Sequence, residues 1–249
     1  MQDTVRMVAR AMIETLYPKV CAGCGLRGVW LCKGCDDRVP PLRRQICDRC
    51  GSPEQHHCTS CADLDPLIVR ARSAYPYTGW VPGAIRRFKY DAEFTRGDDL
   101  GERLSETIRQ FAHVDALVPV PLHRSRLHAR GYNQSVILAE RASEILGIPT
   151  QPLLRRTRIT TPQVSLLGSD RRTNVVGAFE IDPAWSPSPD RVYVLIDDVR
   201  TTGATLNACA QALSANGTPT ILAATLALDV RRDQLDPWLL AMMDVHDPR

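Results

Sequence analysis

The residues best suited to chemistry lie together in one run, Val192-Tyr-Val-Leu-Ile-Asp-Asp-Val-Arg-Thr-Thr-Gly-Ala-Thr205. Val192 to Ile196 reads as a fully buried strand. Asp197 and Asp198 sit at its C-terminal end, and Leu206 to Ala215 reads as the helix that follows. A strand, a loop of small residues and a helix N-terminus make an anion site. Backbone N–H groups converge there, and the helix dipole favours negative charge. Gly203 lets the backbone approach a ligand closely, and the hydroxyls of Thr201, Thr202 and Thr205 add donors. The two carboxylates could hold ribose hydroxyls, or a Mg²⁺ ion through its water. The expected ligand is a sugar phosphate.

A second chemistry comes from cysteine. Eight of the nine cysteines form four Cys-x-x-Cys pairs: Cys21/Cys24, Cys32/Cys35, Cys47/Cys50 and Cys58/Cys61. Seven residues separate the first two pairs and seven separate the last two, which predicts two tetrathiolate Zn²⁺ sites. Disulfides are the alternative, and the absence of a secretion signal argues against them. Sequential pairing puts Cys21, Cys24, Cys32 and Cys35 in one site, with Cys47, Cys50, Cys58 and Cys61 in the other; a cross-brace would interleave them. His56 and His57 flank the second set, but four thiolates already complete a tetrahedron. Closed sites of this kind are structural, and a segment of some 45 residues needs the metal for stability. Cys209 reads as a small buried apolar residue.

At 249 residues, with 44% hydrophobic and 24% charged residues, the chain has room for a large domain and a small one, of ordinary globular composition. No apolar run approaches the ~20 residues that span a bilayer. Residues 1–19 carry charges among their apolar positions, so they read as a packing helix rather than a signal peptide, and a cytoplasmic location is expected. The net charge of +3 conceals a basic middle: residues 119–172 hold nine arginines against three acidic residues, which suits a polyanion or a solvated face.

Other elements must place these groups. Ile68 to Thr78 and Asp115 to Pro121 read as strands, and Val81 to Tyr90 and Leu100 to Ala112 as helices. A helix capped by Asn133 or Ser135 follows, then further strand material at Thr150 to Leu154, Phe179 to Ile181 and Thr220 to Leu228. Strands alternating with helices predict an α/β fold with a mostly parallel sheet covered on both faces. The expected division is a helix over 1–19, a double zinc ribbon over 20–65 and an α/β domain over 66–249.

The run from Val192 to Thr205 resembles the phosphoribosyl-pyrophosphate (PRPP) signature of type I phosphoribosyltransferases. One position departs: Arg200 stands where that family usually has an apolar residue, so its side chain is expected to face solvent or a ligand. Together with Pro119-Val-Pro-Leu-His-Arg-Ser-Arg126, Arg130-Gly-Tyr-Asn-Gln134, Gln163 and Arg171-Arg-Thr-Asn174, the chain looks like the ComF family of bacterial competence-associated proteins. That family joins a double zinc ribbon to a phosphoribosyltransferase-like domain. Its Lys-Tyr-x-Gly motif is only partly kept, as Lys89-Tyr90-Asp91-Ala92, which weakens any role for the Lys89 turn.

The resemblance implies a sheet of the type I phosphoribosyltransferase kind and PRPP held by Thr201, Thr202, Gly203, Ala204 and Thr205. It implies Asp197 and Asp198 as catalytic groups, and a pyrophosphate loop from Pro121 to Arg130 in which Arg124 and Arg126 join catalysis and Arg130 binds PRPP. Arg155 to Asn174 would be a lid, with Arg171 and Arg172 closing on pyrophosphate. Purine-salvage relatives have an Asp general base where this chain has Thr201. Either the acceptor needs no deprotonation there, or PRPP binds without turnover. Two functions follow: a Mg²⁺-dependent transferase that moves phosphoribosyl from PRPP in DNA uptake or nucleotide metabolism, or a non-catalytic competence factor. The second would bind single-stranded DNA, or dock a helicase-like partner, with PRPP only as a ligand.

Overall fold

The computed structural model describes residues 18–43, 46–53, 58–90, 93–158, 177–217 and 219–230. The expected helix over 1–19 therefore falls almost wholly outside the described residues, as do His56, His57, Gln163, Arg171 and Arg172. The elements are α1 (Lys33–Asp36), β1 (Ile68–Pro76), α2 (Trp80–Tyr90), α3 (Gly97–Ile108), β2 (Ala116–Pro119) and α4 (Arg124–Arg130). They continue with α5 (Gln134–Leu146), β3 (Leu154–Arg156), β4 (Phe179–Ile181), β5 (Val192–Arg200), α6 (Ala204–Leu213) and β6 (Thr220–Leu228).

Four strands form a sheet in the order β1-β6-β5-β2, and every pairing in it is parallel. β5 lies inside it, so both its faces are covered, which is why its sequence is a continuous apolar run rather than an alternation. The pleat divides that run between two cores. Val194 and Ile196 pack with Trp80, Phe88, Leu104 and Leu138 from helices α2, α3 and α5, whereas Tyr193 and Leu195 pack with Leu206, Cys209 and Leu213 of α6. Cys209 is fully buried, as expected of a small apolar residue.

Two expectations about the sheet need correction. Thr150 makes only an isolated parallel bridge to Leu117. The strand that follows, β3, pairs antiparallel with β4 in a separate two-stranded sheet. These strands are three residues long, and Leu-Arg-Arg carries no periodicity from which a pairing partner could be read. The signature strand also runs past Ile196 to Arg200, so the two aspartates lie within the strand rather than beyond it.

The ribbons grip the sheet from opposite faces. Val39 of the first packs with Tyr75, Trp80 and Val81, while Cys50 and Leu64 of the second pack with Ile68 and Ala71. Ribbon backbone also continues the open edge of β1: Ala71 N–H donates to Arg49 O at 2.7 Å, and Leu42 N–H donates to Ala74 O at 2.8 Å. Arginines of the sheet domain satisfy ribbon carbonyls. Arg96 is buried and donates to Val20 O and Trp30 O, each at 2.9 Å. Arg72 donates to Asp48 O at 2.9 Å. Glycine sets the approach of α5 to α3: a β-carbon at Gly97 would meet Ile137 Cγ2 at 2.3 Å, and one at Gly101 would meet Arg141 Cβ at 2.6 Å. That close contact carries the N-terminus of α5 to the end of β5.

Candidate phosphoribosyl site and zinc centres

The cysteines resolve first. Sulfurs of Cys21, Cys24, Cys32 and Cys35 cluster within 4.8 Å of one another, and those of Cys47, Cys50, Cys58 and Cys61 do the same. Pairing is therefore sequential and not cross-braced. Cys24–Cys32 and Cys47–Cys61 sulfurs are 3.7 and 3.5 Å apart, close to the edge of about 3.8 Å that a tetrahedron of 2.3 Å Zn–S bonds requires. The donor set fits Zn²⁺ as a structural ion. Burial alone would raise the Cys21 thiol, but the amides of Cys24, Cys32 and Gly23 outweigh it and hold it at about 6. Cys47, with amides of Cys50 and Arg49 opposing burial in the same way, is held at about 7. Each ribbon thus holds one sulfur that is drawn toward its thiolate form by backbone amides. Gly25 and Gly51, just past the second Cys of each knuckle, take φ of +78° and +70°.

The signature loop connects β5 to α6. Gly203 caps α6 with φ +78°, and Ala204 N–H makes only a long contact of 3.4 Å to Thr202 Oγ1. Among the described residues, the amides of Thr201, Thr202 and Gly203 have no hydrogen-bond acceptor. Thr201, Thr202 and Thr205 are half-buried, and Gly203 and Ala204 are buried. Donors without acceptors at a helix N-terminus are what an anion needs.

The two carboxylates differ in their partners. Asp197 Oδ1 accepts from Ser135 Oγ at 3.1 Å and from Asp198 N–H at 2.9 Å. Ser135 can reach it because Asn133 takes the capping role on α5: its Oδ1 accepts from Ser135 N–H at 3.0 Å, and its Nδ2 donates to Val120 O at 3.0 Å. Asp198 carries a cation. Lys89 Nζ, at the end of α2, lies 2.8 Å from each of its carboxylate oxygens, and both side chains are largely buried. The partly kept motif at Lys89-Tyr90-Asp91-Ala92 weakens the expectation of a role for this turn. The lysine nonetheless points into the site, and what could have found it is the position of α2 relative to β5, which local spacing does not encode.

Burial, and then the charge of Asp198, push the Asp197 carboxyl up to about 7 from the ordinary carboxylate value of 3.8. The folded chain therefore binds a proton that the unfolded chain releases between roughly pH 4 and 7, and stability falls as pH rises through that window. Asp197→Asn removes the titration and keeps an oxygen for Ser135. Its thermal midpoint should exceed that of the parent chain by several degrees at pH 8 and match it near pH 4. Parallel melting curves across that range check this.

The pyrophosphate loop expected from Pro121 to Arg130 is largely the seven-residue helix α4, capped by His123 Nδ1 accepting from Ser125 N–H at 3.2 Å. Arg124 is exposed and Arg126 half-buried. Arg130 donates to Gln134 Oε1, and its guanidinium lies 5.1 Å from the ring centre of Tyr90, which is 69% exposed. Arg156, on β3, was not singled out in the sequence. Burial and then the charge of Arg126 hold it below the usual arginine range, while Asp197 also acts on it. Arg126, Arg156 and Asp197 thus share one electrostatic neighbourhood. Arg200 corrects part of an expectation. It does not face solvent; it is buried, and Nη2 donates to the Cys50 carbonyl within the second zinc ribbon.

With this geometry in place, comparison with known proteins is informative. A family model described as a double zinc ribbon domain matches residues 12–64. Competence protein F of Haemophilus influenzae is 33% identical over 187 residues, 71% of this chain and 81% of that protein. Competence protein ComFC of Bacillus subtilis is 30% identical over 200 residues, 75% of this chain and 79% of that protein. DNA utilization protein YhgH of Escherichia coli K12 is 30% identical over 205 residues, 76% of this chain and 87% of that protein. The adenine phosphoribosyltransferase of Leishmania donovani overlays at a TM-score of 0.31 with 14% identity, covering 74% of this chain and 84% of that one. With two sequential four-cysteine clusters ahead of a parallel α/β sheet, and relatives of this kind along most of its length, the chain belongs to the ComF family of competence and DNA-utilization proteins.

Proposed function

We propose that this chain binds PRPP at the β5–α6 loop and serves DNA handling through that ligand. The observation that carries the reading is the set of amides at Thr201, Thr202 and Gly203 that have no acceptor among the described residues, on a helix N-terminus and next to the Asp197–Asp198 carboxylates. The 5-phosphate would take the amides and the hydroxyls of Thr201, Thr202 and Thr205. The two carboxylates would take the ribose hydroxyls. That use fits better than direct hold on a divalent ion, because Asp198 already carries the Lys89 ammonium. Mg²⁺ would then arrive with the pyrophosphate, whose charge Arg126 and Arg156 could face, and would offset the charge on a leaving pyrophosphate. Residues 171 and 172 keep their proposed place on the closing segment.

No carboxylate occupies position 201, and the carboxylates beside the loop are both engaged, by Ser135 and by Lys89. This favours ligand binding over transfer to an acceptor that must lose a proton. A second reading has its own support. Arg130 lies over the exposed ring of Tyr90, and Arg124 is exposed at the start of the same helix; cations beside an open aromatic ring are of the kind that hold single-stranded nucleic acid.

Thermal melting tests the ligand. PRPP with Mg²⁺ at about a hundred times its dissociation constant should contribute about 2.7 kcal/mol and raise the midpoint accordingly. Ribose 5-phosphate should act more weakly. A midpoint that PRPP leaves in place rejects the reading. An oligonucleotide shift assay at two salt concentrations addresses the second: affinity should fall steeply with salt, and absence of binding at low salt removes it.

A further inference from the structure

The second zinc ribbon and the signature loop are fastened together on both sides of the loop. On one side Arg200, the last residue of β5, donates to the Cys50 carbonyl. On the other, Asn207 in the first turn of α6 accepts from Asp65 N–H at 2.9 Å and donates from Nδ2 to Asp63 O at 2.8 Å. Gln211, one turn on, donates to Asp65 Oδ2 at 2.8 Å. Between them the loop lies against the ribbon's exit: a β-carbon on Gly203 would stand 3.7 Å from Leu64 Cδ1 and 3.8 Å from Asp63 O. That exit is tied to the cluster. Arg49, inside the Cys47–Cys50 knuckle, donates to Cys61 O, Leu64 O and Asp65 O at 3.0 to 3.1 Å.

We propose that Arg200 and Asn207 are positioning residues that couple zinc in the second ribbon to ligand binding in the signature loop. The inference rests on the phosphoribosyl reading above. A short Thr-Thr-Gly loop has little packing of its own, and ordering each residue costs about 1–2 kcal/mol of backbone entropy. Here the ribbon exit supplies the order. Arg200, buried at the base of the loop, ties it directly to the backbone of a cluster cysteine. The first ribbon supplies a contrast. Its arginine anchors, Arg96 and Arg103, belong to the neighbourhood of α3 and contact Val20, Trp30 and Asp36, far in the chain from the loop.

Linkage makes the coupling reciprocal: if zinc favours the ligand, the ligand must retain zinc. Zinc competition at equilibrium with a chromogenic chelator should resolve two site affinities, assigned with Cys24→Ser, which disables the first site. Saturating PRPP should tighten the second site about tenfold and leave the first unchanged. Asn207→Ala should still bind two zinc ions, lose that tightening, and bind PRPP about tenfold more weakly by calorimetry. Arg200→Lys, which keeps a donor for the Cys50 carbonyl, should keep part of the effect. If PRPP binds by calorimetry and the second-site affinity does not change, the coupling is wrong and the ligand reading stands. If PRPP does not bind at all, the ligand reading itself fails, and the coupling with it.

Discussion

Cys50→Ser should cut the zinc content from two ions per chain to one and melt the second ribbon together with the sheet face beneath it. Cys50 is fully buried, it belongs to the core that includes Ile68, Ala71 and Leu64, and its carbonyl accepts from Arg200. A structural zinc site in a small ribbon supplies on the order of 10–16 kcal/mol of apparent binding free energy. A whole domain is stable by only about 5–15 kcal/mol. Losing even about 5 kcal/mol would lower the melting midpoint of a chain this size by roughly 10–20 °C. Calorimetric melting beside a zinc assay checks this. A variant that keeps two ions and the parent midpoint would contradict a structural role for the second cluster.

The other large effect belongs to Lys89. Its Nζ lies 2.8 Å from both oxygens of Asp198, and both side chains are mostly buried. Burial depresses the lysine while Asp198 more than restores it, so the ammonium stays charged. Lys89→Met would leave Asp198 buried beside Asp197 without a counter-ion, and breaking a buried pair in this way costs about 3–5 kcal/mol. The melting midpoint should drop by roughly 6–20 °C at pH 8. Lys89→Met/Asp198→Asn should recover most of the loss, because no stranded charge remains. A double-mutant cycle separates the pair from packing of the lysine stem. Additive effects of the two substitutions would show that the pair does not hold the site together.

What the sequence disclosed follows from how local each signal is. The zinc quartets depend on Cys-x-x-Cys spacing and a seven-residue hairpin between pairs, and both are readable along the chain. β5 and β6 are apolar because both sheet faces are covered, so their runs stand out. Lys89, Arg156 and Arg200 were less legible. Lys89 reaches Asp198 only because α2 ends over β5, 109 residues away in the chain. Arg156 is one arginine among several in a polar stretch, and its place on a three-residue antiparallel strand has no pattern to announce it. Arg200 breaks the apolar pattern of the signature strand, and its partner is a backbone carbonyl of a ribbon that sequence reasoning treats as a separate module. Each of the three is fixed by tertiary contact, where spacing is silent.

The division of labour that emerges is physical. The ribbons carry donor sets that fit structural zinc, and arginines that satisfy their carbonyls attach them to the sheet. The sheet takes its stability from two apolar faces. At the end of β5 the chain keeps two adjacent carboxylates in a buried setting that raises one of them to about 7, a cost that a stability-driven design would avoid and a ligand could relieve.

Isothermal titration of PRPP with Mg²⁺ into the two-zinc chain, set against Asp197→Asn/Asp198→Asn, tests the central claim most directly. The account predicts one PRPP bound per chain by the parent protein, and at least a tenfold loss of affinity, about 1.4 kcal/mol, in the folded double variant. Equal heats and equal affinity in the two proteins, or no binding to either, would contradict it.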